Sequence, residues 1–241
     1  MQLFKTDDGS YTLINPDHLE TYHSKFGALT ESDQVYLRNS GVYQRLAHLQ
    51  PTAILEIGFG TGFNFVHTAQ HAVASGCQLS YTAIEIAPMN KDLALHVLSH
   101  NAAGDPELCK FTANTIDRIS TDETEVMASF NDRTDLHLIR ADATSHKLPA
   151  GAFDAIYLDA FSTKNNPELW SASFLEKLRV AAKPAATLAT YCVNSRFRKA
   201  LTEAGFEWQK LPGPKGKREV LTATPAVQTL NSVKLRKRKI N

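Results

Sequence analysis

The residues Glu56-Ile57-Gly58-Phe59-Gly60-Thr61-Gly62 close a short apolar run and open a helical pattern. Closely spaced glycines let the backbone turn sharply and approach a ligand. The free N–H groups of a following helix suit a polar or anionic group. A dinucleotide loop reads GxGxxG. Here the third glycine comes one place early, giving GxGxG, which favours the amino-acid end of S-adenosylmethionine over a pyrophosphate. No GxxxxGK[ST] phosphate loop is present. The cofactor candidates in this segment are Glu56, Gly58, Phe59, Gly60, Thr61, Gly62 and Asn64.

Three acids follow at matching places, Glu85, Asp142 and Asp159. Each stands just past an apolar run that reads as a strand. Glu85 occupies the position where this kind of fold sets an acid against ribose hydroxyls. Asp142, in Arg140-Ala-Asp-Ala-Thr144, stands where methyltransferases set an acid or amide against the adenine amine. Asp159 ends the run before Ala160-Phe161 and joins Glu85 and Asp142 as a cofactor candidate. A single acid at a strand end is commonplace, but three beside one glycine loop line one crevice.

The elements that must hold them alternate. Strands are expected over 53–57, 79–84, 136–140, 153–158, 186–192, 206–211 and 219–224. Helices are expected over 62–74, 88–99, 167–182 and 196–204. That alternation predicts an α/β fold with a doubly wound, mostly parallel sheet. Seven strands ending in a closely spaced pair suggest a seven-stranded Rossmann-like methyltransferase sheet whose last strand is antiparallel. Residues 113–135 are polar and read as a helix with a loop. The first 50 residues form an N-terminal hairpin and helix extension packing on the catalytic domain. Asp7-Asp8-Gly9-Ser10 is its hairpin turn, and Gly41 interrupts its helical spacing. The catalytic domain spans 51–224. Residues 225–241 read as a basic, disordered tail, with five cations between Lys234 and Lys239.

Lys plus Arg is 26 and Asp plus Glu is 25, a net charge of +1 that excludes a globally basic nucleic-acid coat but not a local patch. Cys77, Cys109 and Cys192 lie far apart without a CxxC, the pattern of a reducing compartment with no zinc cage. No apolar run approaches the ~18 residues of a membrane span, and the start carries no secretory signal. A cytoplasmic protein with no membrane partner is expected. His67/His71 and His96/His100 are spaced four apart on helices. Without a third ligand in the pattern they read as surface histidines, and no metal is expected.

Over residues 8–222 the chain resembles the methyltransferase domain of the MnmC family, bacterial enzymes of tRNA wobble-uridine modification. The likeness is carried by Tyr22-His23-Ser24 with Gly27-Ala28 and Glu31-Ser32, and by the glycine loop. It continues in Leu158-Asp159-Ala160-Phe161 with Asn166-Pro167-Glu168-Leu169-Trp170, and in Thr187-Leu188-Ala189-Thr190-Tyr191. Last come Leu211-Pro212-Gly213-Pro214 and Gly216-Lys217-Arg218-Glu219. The chain departs from the family pattern at Thr163, where proline is usual, at Lys164-Asn165 and at Asn194-Ser195.

The resemblance implies methyl transfer from S-adenosylmethionine to the exocyclic amine of 5-aminomethyl(2-thio)uridine in tRNA. The flavin oxidoreductase domain of the two-domain enzymes has no counterpart in these 241 residues. A stand-alone form is expected, with a separate oxidoreductase or aminomethyl-forming enzyme supplying its substrate. An attacking amine must be neutral, so a carboxylate beside it has work to do. Asp159 is the first candidate and Glu31 the second, with Phe161 against the uracil. Tyr22 and His23 are candidates for substrate contact, and Lys215, Lys217 and Arg218 for phosphate. The competing readings are another RNA or small-molecule amine, a nicotinamide-dependent oxidoreductase, and a catalytically silent binding module.

Overall fold

The computed structural model describes residues 1–16, 19–101, 105–121 and 123–226. The basic cluster Lys234–Lys239 lies outside them.

A hairpin opens the chain, β1 (Gln2–Lys5) against β2 (Tyr11–Asn15), followed by the short β3 (Glu20–Thr21). Asp8 in its turn accepts from Ser10 N at 3.0 Å and from Thr30 N at 3.0 Å. The turn thereby ties down the start of α1 (Ala28–Glu31), whose first N–H groups have no partner within the helix. A π-helical segment, Ser32–Arg38, continues from α1, and Gly41 at φ +81° breaks the path before α2 (Val42–Ala47).

From Thr52 the chain alternates. The elements are β4 (Thr52–Ile57), α3 (Phe63–Ser75), β5 (Leu79–Glu85), α4 (Lys91–His100) and α5 (Pro106–Thr121). There follow β6 (Glu125–Asn131), β7 (Thr134–Arg140), β8 (Phe153–Leu158), α6 (Ala172–Ala181) and β9 (Ala182–Thr190). The last three are α7 (Ser195–Glu203), β10 (Phe206–Pro212) and β11 (Glu219–Pro225).

The strand order is β10-β11-β9-β8-β4-β5-β7-β6. The five central strands are parallel, and β11 runs antiparallel to β9. All seven expected strands are present. An eighth, β6, corrects the count: it pairs antiparallel with β7 at the sheet edge, in the stretch read as a loop. Boundaries also move, and β9 starts at Ala182, four residues before the expected 186. Asn90 caps α4 through its side chain, so that helix starts at Lys91 rather than near Pro88. The single helix expected over 167–182 is a 3₁₀ turn, Pro167–Trp170, and then α6, separated at Ser171, whose hydroxyl caps α6.

Side chains on β4 alternate between two cores, as strand geometry requires. Ile54 packs with Phe65, Val97, Leu108 and the extension's Val35 and Tyr36. Leu55 and Ile57 pack on the other face with Phe174, Leu178 and Phe197. The extension therefore shares the core on the face of α3, α4 and α5. The chain leaves β4 toward β5 on one side and reaches β8 on the other, so the carboxyl ends of these strands form a topological switch point, where such sheets bind ligands. Among the described residues no helix is long and apolar enough to cross a membrane.

Candidate active site

Pairing of β4 with β8 brings the glycine loop against Asp159. Asp159 N donates to Ile57 O at 3.0 Å, and Gly58 N donates to Ile84 O at 3.0 Å. Gly58 has φ +89°, and a Cβ there would stand 2.7 Å from the Asp159 carbonyl oxygen. The position demands glycine for its backbone conformation and for its space.

A cavity of about 640 Å³ opens over this junction. Gly58, Phe59, Gly60, Glu85, Asp142 and Asp159 line it, as do Tyr22, His23, Glu31, Phe161 and Lys217. Glu56, Thr61, Gly62 and Asn64, read from the sequence as cofactor contacts, do not reach its wall. Glu56 and Asn64 are buried behind Asp159. Asn64 Nδ2 lies 2.8 Å from both Asp159 Oδ2 and Glu56 Oε1, while its own Oδ1 accepts from Ser32 Oγ at 2.6 Å. Tyr81 OH donates to Glu56 Oε2 at 2.9 Å.

Asp159 completes this network through Oδ1, which accepts from Tyr36 OH at 2.5 Å. Its partners are neutral donors. Burial pushes its carboxyl up to about 7, and the nearby Glu31 adds to the effect, while the bonds from Tyr36 and Asn64 and the charge of Lys217 oppose it. Burial, reinforced by Asp159, also raises Glu56 well above the ordinary carboxylate range. Burial and the Asp159 charge hold the Tyr36 phenol protonated.

Glu31 is buried and accepts from Ser24 N at 2.7 Å. Its other oxygen takes the Lys217 ammonium, which also sits 4.2 Å from the centre of the Tyr191 ring. His23 is buried beside this pair, and its Nδ1 finds no hydrogen-bond partner among the described residues. Burial drives the imidazole down to about 4, so it is neutral at pH 7. Tyr22 meets Phe161 edge to face at 5.2 Å.

Glu85 Oε2 accepts from Phe59 N at 3.0 Å and Gly60 N at 3.1 Å, which fixes the loop, and burial raises its carboxyl. Asp142 Oδ1 accepts from Thr144 N at 2.8 Å. Lys215 and Arg218 are exposed and do not line the cavity, and Lys215 pairs with Asp7 at 3.1 Å. The departures from the family pattern at 163–165 fall in a loop held by the extension. Glu20 accepts from Ser162 N at 3.1 Å and from Asn165 Nδ2 at 2.7 Å.

Sequence reasoning missed Tyr36, Tyr191 and Glu20. A tyrosine inside an apolar helical pattern reads as core. The π-helical turn, with its i→i+5 bonding, brings residues five apart toward one face, and Glu31 and Tyr36 are five apart. The expectation that His67 is a surface residue is also corrected. It is buried, with Asp33 Oδ1 3.2 Å from its Nε2. Burial lowers both His67 and His71.

A model of S-adenosyl-L-methionine-dependent methyltransferases matches residues 106–226, half of the chain. The chain belongs to this methyltransferase family. Its residues fit that cofactor: Gly58 and Gly60 leave space a Cβ would fill, Glu85 and Asp142 line the cavity, and the acidic lining suits a cationic sulfonium. The nicotinamide reading falls with this assignment.

The methyltransferase is similar to the bifunctional protein MnmC of tRNA 5-methylaminomethyl-2-thiouridine biosynthesis from Burkholderia thailandensis. The two are 34% identical over 233 residues, covering 89% of this chain and 33% of that protein. The Burkholderia mallei protein of the same name is 34% identical over 226 residues, covering 89% and 34%. The chain spans about a third of the length of the curated relatives it matches. The crystal structure of MnmC2 from Aquifex aeolicus superposes with a TM-score of 0.76 at 25% identity, over 92% of this chain and 70% of that one.

Proposed function

We propose that this methyltransferase acts on the exocyclic amine of 5-aminomethyl(2-thio)uridine at the tRNA wobble position, with Asp159 as proton acceptor. The similarity to the MnmC proteins supports the substrate class. The observation that carries the chemistry is the Asp159 carboxylate, part-buried in the cavity wall with neutral hydrogen-bond partners and a carboxyl raised to about 7. When bound, S-adenosylmethionine supplies an electrophilic methyl group that leaves a neutral thioether behind.

The chain's own residues supply position and proton handling. A primary amine is an ammonium in neutral water and has no lone pair to attack with. Asp159 takes its proton and fixes the nitrogen in line with the methyl group. Tyr36 and Asn64 fix the carboxylate in turn. Glu31, held by Lys217, adds negative potential where the cationic amine enters. Phe161 and Tyr22 give the uracil aromatic surface, and the unpartnered His23 Nδ1 gives its edge a polar contact. Lys25 on the rim and Lys215 and Arg218 beyond it meet phosphates.

The test is to incubate the purified protein with S-adenosylmethionine and tRNA carrying 5-aminomethyl-2-thiouridine, digest, and read the nucleosides by mass spectrometry. One methyl group gained on that nucleoside is the expected result. No gain by a protein that still binds the cofactor would overturn the tRNA substrate and direct the search to other amines.

A further inference from the structure

Helix α3 presents His67 and His71 one turn apart, and the π-helical segment sets Asp33 opposite them. One donor atom from each lies within 4.8 Å of the other two. The group stands apart from the cavity, since none of the three lines it. We propose that Asp33, His67 and His71 form a Zn²⁺ site that pins the π-helical segment of the extension to α3.

The geometry is close to what the ion needs. Metal–ligand bonds of ~2.0–2.2 Å at tetrahedral angles put donor atoms about 3.3–3.6 Å apart. Asp33 Oδ1 and His67 Nε2 are already 3.2 Å apart. His71 is half-buried, its ring centre 5.1 Å from that of His67. Two imidazoles and one carboxylate are a borderline set that suits Zn²⁺ and not the all-oxygen preference of Mg²⁺ or Ca²⁺. The fourth position is open to water.

The surroundings orient the donors. Arg38 Nε donates to Asp33 Oδ2 at 2.6 Å, which leaves Oδ1 facing the histidines. The Arg38 guanidinium is itself held 4.4 Å over the Tyr43 ring, and Tyr43 meets His71 edge to face at 5.5 Å. Phe63 stacks parallel to His67 at 6.5 Å. Such partners around the donors fix ligand orientation in metal sites.

The location gives the ion a task. Asp33 is three residues before Tyr36, and His67 is three after Asn64. Tyr36 and Asn64 are the two side chains that hold Asp159. An ion joining their helices locks the extension onto the sheet just behind the site.

The test is metal binding, read without activity. Chelator-treated full-length protein is titrated with Zn²⁺ by calorimetry and with Co²⁺ by visible absorption, and its melting temperature is followed with and without Zn²⁺. The expected result is one ion per chain, tetrahedral Co²⁺ bands and a raised melting temperature, because a ligand bound only by the folded state stabilises it. His71→Ala and Asp33→Asn should each weaken Zn²⁺ binding by about tenfold or more. His96→Ala, in the exposed histidine pair on α4, should leave the affinity unchanged. No Zn²⁺ uptake, or an affinity equal to wild type in His71→Ala, would overturn the proposal and leave the Asp33–His67 contact a plain hydrogen bond.

Discussion

Strand β8 carries an aspartate near each end, and the molecule treats them oppositely. Asp154, near the start, is paired with Arg45 at 2.9 Å and with Lys183 at 2.8 Å, and it accepts from Ala53 N at 2.9 Å. Asp159, just past the end, has a phenol and an amide for partners, and its carboxyl is raised to about 7. One charge is compensated and ties α2, β4 and β9 to the strand. The other is left costly, at the end of the sheet where the cavity opens. Held by neutral donors at the cavity, Asp159 is the group that the proposed function uses for proton exchange.

The contrast breaks most sharply at Asp159 itself. Asp159→Asn should lower kcat by about 10²–10⁴-fold, the usual contribution of a positioned proton acceptor, with cofactor affinity retained. A raised carboxyl makes folding less favourable as pH climbs from the ordinary carboxylate range to about 7. The stability of the variant relative to wild type should therefore increase across that window, as denaturant melts at several pH values will show. Gly58→Ala strikes the Asp159 end through the backbone. Its methyl group meets the Asp159 carbonyl oxygen, and the displacement should cost about 100-fold in kcat/KM.

Asp154→Asn should do the reverse and leave kcat unchanged. Folding stability should fall by about 1–2 kcal/mol, since Arg45 and Lys183 are each a third or so exposed and water takes up part of the loss. Tyr36→Phe sharpens the comparison with the smallest effect. Loss of the hydroxyl removes a bond that favours the Asp159 carboxylate, so the pH–rate profile should shift upward by about one unit.

Much of this was legible in the sequence, and the reasons are local. Gly58, Glu85 and Asp159 follow apolar runs directly, so their place at strand ends could be read off the order of residues. Strand β6 could not. Among Glu125–Asn131 only Val126 is buried, and an edge strand with one core residue carries almost no apolar pattern. The break at Ser171 was hidden because serine is tolerated within helical patterns as well as at caps. The contacts around Asp159 join residues far apart in the chain: Tyr36 is 123 positions away, and Glu31 and Lys217 are 186 apart. Composition and spacing hold no record of such pairs, which exist only once the extension folds over the sheet. The π-helical turn that aims Tyr36 is likewise a product of packing. For the same reason His67 read as a surface residue, since Asp33 reaches it across 34 positions.

The most direct measurement is the pH dependence of single-turnover methyl transfer, wild type against Asp159→Asn, on tRNA carrying the aminomethyl nucleoside. Wild type should show a rate that rises through an ionisation near pH 7, and the variant's residual rate should lack it. If the same ionisation persists with asparagine at position 159, Asp159 is not the proton acceptor.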